Sequence, residues 1–108
     1  SFLLYPYRVN YLLVKSMEVP VKALFQVPKR KYKRAVDRNL IKRRIREIYR
    51  LQKSQCLYPF IPDGSTLLLS IVYVGKEIHD FSLMEEKSKK LWMNLVKQLQ
   101  QQMGGNAE

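Results

Sequence analysis

Residues 35–53 read AVDRNLIKRRIREIYRLQK and form the most strongly patterned stretch of the chain. Ile41, Ile45 and Ile48 recur at intervals of four and three residues, which predicts a helix with one narrow apolar stripe. A broad arc beside that stripe contains Asn39 and most of the cations. The cations of the arc are Arg38, Lys42, Arg43, Arg46 and Arg50. This pattern predicts a helix that packs on one side and presents positive charge on the other.

The positive charge of the whole chain is concentrated around this helix. The 108 residues contain 20 Lys and Arg against 9 Asp and Glu, a formal net charge of +11 at pH 7. Residues 29–53 hold twelve cations and two acids, a balance of +10, whereas the remaining chain holds eight cations and seven acids. Two acids are too few to pair with twelve cations along a solvated helix. The charge distribution therefore favours a polyanionic partner such as a nucleic acid.

Strand-like segments flank the basic region. Residues 5–14 alternate in character and form a first strand, and Pro6 indicates either that regular pairing begins after it or that this strand lies at an edge. Residues 21–27 form a second strand ended by Pro28. Residues 66–74, TLLLSIVYV, are a near-continuous apolar run that predicts a strand buried on both faces. A last helix is predicted to begin at Ser82, with Glu85 completing a capping box. Its inward stripe comprises Met84, Ser88, Leu91, Trp92, Leu95 and Leu99.

The order of elements, β-β-α-β-α, predicts an α+β fold in which a helical layer packs on a mixed sheet. The basic helix joins the second and third strands, so it crosses one face of the sheet and leaves the other face at least partly open. One domain accounts for residues 1–108, and the end of the chain, 103–108, which contains Gly104 and Gly105, is expected to be a disordered tail.

Catalytic and metal-binding patterns are missing from the sequence. Cys56 is the single cysteine and His79 the single histidine, so neither an intrachain disulfide nor a transition-metal site is expected. Asp63 and Asp80 neighbour turn residues and are predicted to be caps or turn formers. The apolar opening run, 2–14, is shorter than the ~20 residues of a membrane span and is interrupted. We therefore predict no catalytic residue, no metal ligand and no membrane partner.

Residues 38–46, RNLIKRRIR, resemble the signature of the bacterial ribonuclease P protein component, an Arg-Asn-Arg core followed by Lys-Arg and Arg on a helix. The order of strands, basic loop, helix, buried strand and closing helix extends this resemblance over essentially the whole chain. Leu40 stands where the family core has its second arginine, and Arg44 is expected to offset the missing cation. The family usually opens with a further helix beside the sheet, and an N-terminal segment carrying that helix is expected to be missing here.

The resemblance implies the ribosomal protein S5 domain 2-like fold, a two-layer α/β sandwich with a left-handed β-α-β crossover instead of the usual right-handed one. It also implies an accessory subunit of a ribonucleoprotein endonuclease that trims the 5′ leader from precursor tRNA. Catalytic groups and most ligands of Mg²⁺ would then belong to the RNA subunit. A cytoplasmic location and no obligate protein partner are expected.

The implied interface has two parts, one for the catalytic RNA and one for the leader. The RNA-binding set, whose cations would contact phosphates, comprises Lys29, Arg30, Lys31, Arg34, Arg38, Asn39, Lys42, Arg43, Arg46 and Arg50. Asn39 either hydrogen-bonds RNA or caps the helix or an adjoining loop. Tyr7, Val9 and Tyr11 are assigned to a leader-binding cleft, where they would stack or pack on unpaired bases, with core packing as the competing interpretation. The lysines of the last helix, Lys87, Lys89 and Lys90, are expected to form a solvated face.

Three other functions remain open on the sequence. A ribosomal or assembly-type RNA-binding protein would share the basic helix without a leader cleft. A DNA-binding module would place this helix in the major groove, although a strand and a loop precede it instead of a partner helix. A metal-dependent nuclease acting alone would need clustered carboxylates. Cleavage assays with and without the catalytic RNA separate this last function from that of an accessory subunit.

Overall fold

The computed structural model describes the backbone of residues 1–107 and the side chains of residues 1–101. The predicted disordered tail, 103–108, lies outside this fully described part. In chain order the elements are β1 (Phe2–Leu4), β2 (Tyr7–Lys15), β3 (Val21–Gln26), α1 (Ala35–Cys56), a short 3₁₀ helix (Tyr58–Phe60), β4 (Ser65–Tyr73) and α2 (Phe81–Ala107).

The four strands form one mixed sheet in the order β1-β2-β4-β3. β2 is antiparallel to both of its neighbours, β1 and β4, whereas β3 is parallel to β4. Because parallel neighbours need a crossover connection, α1 is the link that carries the chain from β3 to β4. The predicted two-layer α+β architecture is confirmed, and the left hand of the crossover stays a prediction.

The predicted first strand, 5–14, corresponds to β2, and the short strand β1 precedes it. Leu4 pairs with Tyr7, so the chain closes a tight hairpin around Tyr5 and Pro6, whose peptide bond is cis. Pro6 has no N–H to donate to a strand ladder, which explains why β2 begins only after it. The start of regular pairing is as predicted, but the sequence pattern misses β1, which has only three residues.

Both helices pack on one face of the sheet, and the core lies between the two layers. The α1 stripe of Ile41, Ile45 and Ile48 is buried, as predicted. All six residues of the predicted α2 stripe are buried as well. Burial of each large aliphatic side chain contributes roughly 1.5–3 kcal/mol, so these two stripes hold the helices on the sheet.

The other face of the sheet carries no helix in the part of the chain that the structure describes. Leu12, Leu24 and Leu68 lie on this face with exposed fractions of 59%, 55% and 37%. β4 is therefore covered on one face only, and the prediction of a strand buried on both faces is wrong. Apolar residues on an open face produce the same continuous run in the sequence as full burial does.

Asp80 forms the start of α2. Its Oδ1 accepts a hydrogen bond from the backbone N–H of Leu83 at 2.9 Å, which is the usual N-cap interaction. The helix therefore begins at Phe81, and the predicted capping box of Ser82 and Glu85 is wrong. The prediction that Asp80 serves as a cap or turn former is confirmed.

Gln52 links the two helices through its side-chain amide. The amide oxygen accepts a hydrogen bond from the Trp92 indole N–H at 2.7 Å, and the amide nitrogen donates to the backbone carbonyl of Glu85 at 3.2 Å. Both Gln52 and Trp92 are buried, and a buried polar group is costly when it has no partner. This pairing fixes α1 against α2 and so orients the charged side of α1.

Candidate nucleic-acid interface

Five of the predicted RNA-binding residues come together on one surface of α1. They share a shallow depression with a single acid, and we define this surface as the cationic face. It consists of Asn39, Lys42, Arg43, Arg46, Glu47 and Arg50. Because the isoleucine stripe of α1 is buried against the sheet, these side chains point away from the core. Asn39, Arg43 and Arg46 are exposed and accessible to a ligand.

Glu47 partly compensates the charge of this face. Its carboxylate accepts two hydrogen bonds from the Arg50 guanidinium, with Nη2–Oε1 at 2.5 Å and Nε–Oε2 at 3.1 Å. These hydrogen bonds lower the pKa of Glu47 and raise the pKa of Arg50 relative to their ordinary values. Such an exposed pair contributes little to stability. It does give Arg50, a predicted phosphate contact, a partner within the protein.

The basic loop, residues 29–34, has five cations in six positions. Its exception, Tyr32, is buried, and the Tyr32 hydroxyl donates a hydrogen bond to the carbonyl of Gly75 at 2.7 Å. The Lys31 ammonium group donates to the carbonyl of Val74, also at 2.7 Å. These two bonds anchor the loop beside the end of β4. The other loop cations, Lys29, Arg30, Lys33 and Arg34, are exposed.

Arg38 and Arg44 are bonded within the protein. Nη1 of Arg38 donates to the carbonyls of Tyr32 and Lys33, each at 2.8 Å. Nη1 of Arg44 donates to the carbonyl of His79 at 2.6 Å, which fastens α1 to the segment before α2. Both arginines are half-buried. The phosphate contact of Arg38 and the offset of Leu40 by Arg44 stay predictions.

The residues assigned to the leader cleft lie on the helix-covered face of β2. Tyr7 and Val9 have exposed fractions of 1% and 0%. The Tyr7 hydroxyl donates to the Met84 carbonyl and accepts from the Ser88 hydroxyl, both at 3.2 Å. Tyr11 is half-buried, and its hydroxyl bonds to α2. Tyr7 and Val9 are therefore core residues, as in the competing interpretation, whereas the assignment of Tyr11 to a leader cleft stays a prediction.

The ionisation of the tyrosines reflects this burial. Desolvation raises the pKa of Tyr7 to about 12, although the hydrogen bond from Ser88 acts in the opposite direction. Burial likewise raises the pKa of Tyr49 and of Tyr73 above the ordinary value. A phenol that loses its proton only at high pH is compatible with a place in the apolar core.

Sequence reasoning predicted an open face of the sheet but did not identify the residues of the groove that lies on it. The groove is lined by the two central strands, β2 and β4, and by the edge strand β3, and we call it the open-face groove. Its outward side chains include Asn10, Leu12, Lys22, Leu24, Leu68 and Ser70. Pairing places Asn10 opposite Ser70, and places Leu12 and Lys22 on the two sides of Leu68. The sequence did contain a signal for this face: within the alternation of β2, the polar residues Arg8 and Asn10 indicate which side of the strand faces solvent.

No group of three or more His, Cys, Asp or Glu side chains within residues 1–101 is placed to hold a metal ion. Within the described chain, neither helix combines the length and the apolar character needed to cross a bilayer. The chemistry that the described surfaces offer is therefore the binding of phosphates at the cationic face and basic loop, and of a ligand with apolar and polar parts at the open-face groove.

Comparisons with a family model and with curated proteins identify the same family. A model of the ribonuclease P family matches residues 5–99. The ribonuclease P protein component of Porphyromonas gingivalis W83 is 33% identical over 91 residues, or 83% of this chain and 66% of the relative. That of Chlorobaculum tepidum is 47% identical over 54 residues, or 50% of this chain and 35% of the relative. That of Chlorobium phaeobacteroides is 33% identical over 90 residues, or 76% of this chain and 61% of the relative.

The chain thus spans less than two thirds of the length of the curated relatives that it matches. No solved structure gives a significant match. The family model nevertheless covers β2, β3, α1, β4 and most of α2, and with them the cationic face, the basic loop and the open-face groove. On this match over most of its residues, the chain belongs to the ribonuclease P protein family.

Proposed function

We propose that the chain is an accessory subunit of a ribonucleoprotein that removes the 5′ leader from precursor tRNA. The observation that carries the proposal is the separation of two exposed surfaces by the sheet. The cationic face lies on the helical layer, and the open-face groove lies on the opposite side of the sheet. Such a protein can bind a folded RNA on one side while it holds an unpaired strand on the other.

The cationic face and the basic loop are proposed to dock on the catalytic RNA. Arg43 and Arg46 make no side-chain hydrogen bond within residues 1–101, so their guanidinium groups are available to phosphates. Each cation that neutralises a phosphate releases a counterion, and the logarithm of the binding constant falls by ~0.7–0.9 per contact for each tenfold rise in salt. A steep salt dependence of RNA binding is therefore part of the proposal.

The open-face groove is proposed to hold the single-stranded leader. Leu12, Leu24 and Leu68 provide apolar surface on which unpaired bases can pack, in place of the buried Tyr7 and Val9. Asn10, which lines the groove, can hydrogen-bond to base edges. Lys22, on the groove wall, can approach the backbone phosphates, although its ammonium group pairs with Glu18 at 2.6 Å. Unpaired bases are recognised through their faces and edges together, which suits this mixed lining.

We assign the catalytic groups, and the Mg²⁺ ions of the reaction, to the RNA. The chain then moves no proton in the reaction and instead neutralises phosphate charge where two polyanions meet. Lower phosphate repulsion strengthens the binding of precursor tRNA and also reduces the Mg²⁺ concentration that the RNA needs. The proposal places the chain in the cytoplasm and requires no further protein partner.

Cleavage of a 5′-extended precursor tRNA at low Mg²⁺ tests this function. The reaction is run with the protein alone, with bacterial ribonuclease P RNA alone, and with both together. We expect the protein to stimulate cleavage only in the mixture, and the stimulation to shrink when the leader is shortened to one nucleotide. Cleavage by the protein alone would identify a nuclease and contradict the proposal. Tight RNA binding without stimulation would favour the ribosomal or assembly-type alternative.

A further inference from the structure

The basic loop presents an electrostatic problem, since five of its six side chains are positively charged. Like charges so close together favour an expanded loop unless other interactions hold it. The N-cap residue of α1, Arg34, makes no side-chain capping bond at the start of the helix. The hydrogen bonds of Lys31 and Tyr32 attach the loop to the end of β4. Neither bond attaches the loop to α1.

The backbone amides of Asp37 and Arg38 bond to the carbonyl of Arg34 at the end of the loop, and the Arg38 side chain adds a connection between α1 and the middle of the loop. Arg38 lies in the first turn of the helix, and its Nη1 reaches back to the carbonyls of Tyr32 and Lys33, each at 2.8 Å. A charged donor that bonds to two successive carbonyls fixes the backbone of the loop relative to the helix. Arg38 thereby sets the distance between the exposed loop cations and the cationic face.

We propose that Arg38 is a positioning residue that aligns the basic loop with the cationic face, and that it does not act chiefly as a phosphate ligand. The consequence for RNA binding rests on the proposed function, whereas the consequence for the loop itself does not. Positioning of the loop requires both hydrogen bonds of the Arg38 guanidinium, and a positive charge alone does not provide them. Lysine is one bond shorter than arginine and lacks its planar fork, so a lysine at position 38 would retain the charge but not the two bonds.

Hydrogen exchange of the free protein tests the positioning directly. The amides of Lys31 and Tyr32 both bond to the carbonyl of Pro28, so their exchange rates report on the folding of the loop. We expect exchange at these amides to accelerate roughly tenfold in both Arg38→Ala and Arg38→Lys, since a charged hydrogen bond is lost in each. Arg46→Ala and Arg46→Lys are matched controls on the cationic face and should leave these rates unchanged. Exchange in β4 should be unaffected in all four variants.

Binding to bacterial ribonuclease P RNA provides the second readout. Arg38→Lys should weaken binding about as much as Arg38→Ala, roughly tenfold. Arg46→Lys should bind this RNA more tightly than Arg46→Ala, because a phosphate contact depends largely on the charge that lysine retains. Full RNA affinity of Arg38→Lys, or accelerated loop exchange with unchanged affinity, would overturn the proposal. If the unaltered protein fails to bind this RNA, the proposed function is wrong, and the exchange rates still decide whether Arg38 positions the loop.

Discussion

The two faces of β2 are built from alternating residues of one strand but have different roles, one in stability and one in binding. On the covered face, Tyr7 and Val9 are buried beneath the helices, and Tyr7 hydrogen-bonds to α2. On the open face, Arg8, Asn10 and Leu12 are exposed over the same length of strand. A shift of one residue along the strand thus separates a side chain that stabilises the fold from one that is free to bind a ligand.

This comparison shows that apolar character alone does not identify the inside of this sheet. Leu12, Leu24 and Leu68 are as apolar as the core residues, yet more than a third of each side chain is exposed. A cluster of exposed leucines in a small protein usually marks a surface for a partner. The covered face should therefore respond to mutation with lost stability, and the open face with lost binding.

The largest difference between the faces is expected for Tyr7→Ala. Removal of this buried ring leaves a cavity and should lower the free energy of unfolding by about 3–5 kcal/mol. Arg8→Ala is the matched control on the open face of the same strand and should change it by no more than ~0.5 kcal/mol. Urea unfolding of both variants measures the difference. Equal effects would mean that the two faces are not distinct in this way.

The converse effect is expected on the open face. Leu12→Ser combined with Leu68→Ser should reduce the affinity gained from a long leader by roughly 1–3 kcal/mol, because the bases lose their apolar support. Binding of precursor tRNA with a long leader and with a one-nucleotide leader measures this gain. Leu51→Ser is the control, since Leu51 is 50% exposed but lies on α1. A comparable loss in the control would contradict a specific role of the groove.

Alkaline pH should act through the covered face. The pKa of Tyr7 is about 12 in the folded protein and ~10 when unfolded, so the unfolded chain loses this proton first. The stabilisation from Tyr7 is complete below pH ~10 and is lost as the pH rises towards 12. Between pH 9 and 11 this loss amounts to ~1.4 kcal/mol in the free energy of unfolding.

Tyr7→Phe should remove that part of the pH dependence. The other tyrosines with raised pKa values, Tyr32, Tyr49 and Tyr73, remain in both proteins, so their effect cancels in the comparison. Urea unfolding at pH 9 and pH 11 gives the two differences. An identical loss of stability in the two proteins would show that Tyr7 ionises alike in the folded and unfolded chains.

The smallest effect is expected on the cationic face itself. Glu47→Gln removes the carboxylate that pairs with Arg50, and RNA binding should strengthen slightly, by roughly twofold at low salt. Glu86→Gln, an exposed change on α2, serves as the control for a simple change in net charge. Measurement of RNA binding by both variants over a range of salt concentrations distinguishes loss of the Glu47–Arg50 pair from the change in net charge. Weaker binding of Glu47→Gln would indicate that the Glu47–Arg50 pair is part of the docking surface.

Much of the fold follows from periodicity in the sequence. The apolar stripes of α1 and α2 and the order of the long elements are as predicted, because a helix with a buried side repeats its apolar residues every three to four positions. Alternation in β2 also defines two faces correctly. Which face is inside depends on where the helices pack, and Leu12 gives the solvent side an apolar residue that local pattern does not distinguish from a core residue.

The candidate site was only partly predictable for a related reason. Asn39, Arg43 and Arg46 share an exposed surface because helical spacing alone puts them there. Arg38 and Arg44 donate to backbone carbonyls. Because every residue has a carbonyl, the residue types in the sequence do not reveal which carbonyls these arginines contact. The carbonyl that Arg44 contacts belongs to His79, 35 residues away in the chain. Only the tertiary structure brings such groups together.

The hydrogen bond between Gln52 and Trp92 gives the protein a built-in optical reporter. Trp92 is the single tryptophan, it is 2% exposed, and its indole nitrogen bonds to a side chain of α1. Its fluorescence therefore reports on the seam between the two helices and on neither proposed RNA-binding surface. A shift of its emission to longer wavelength would signal that the helices have separated, whereas binding of RNA at the surface should leave the wavelength unchanged. The unfolding of every variant, free or bound to RNA, can thus be followed in an unlabelled sample.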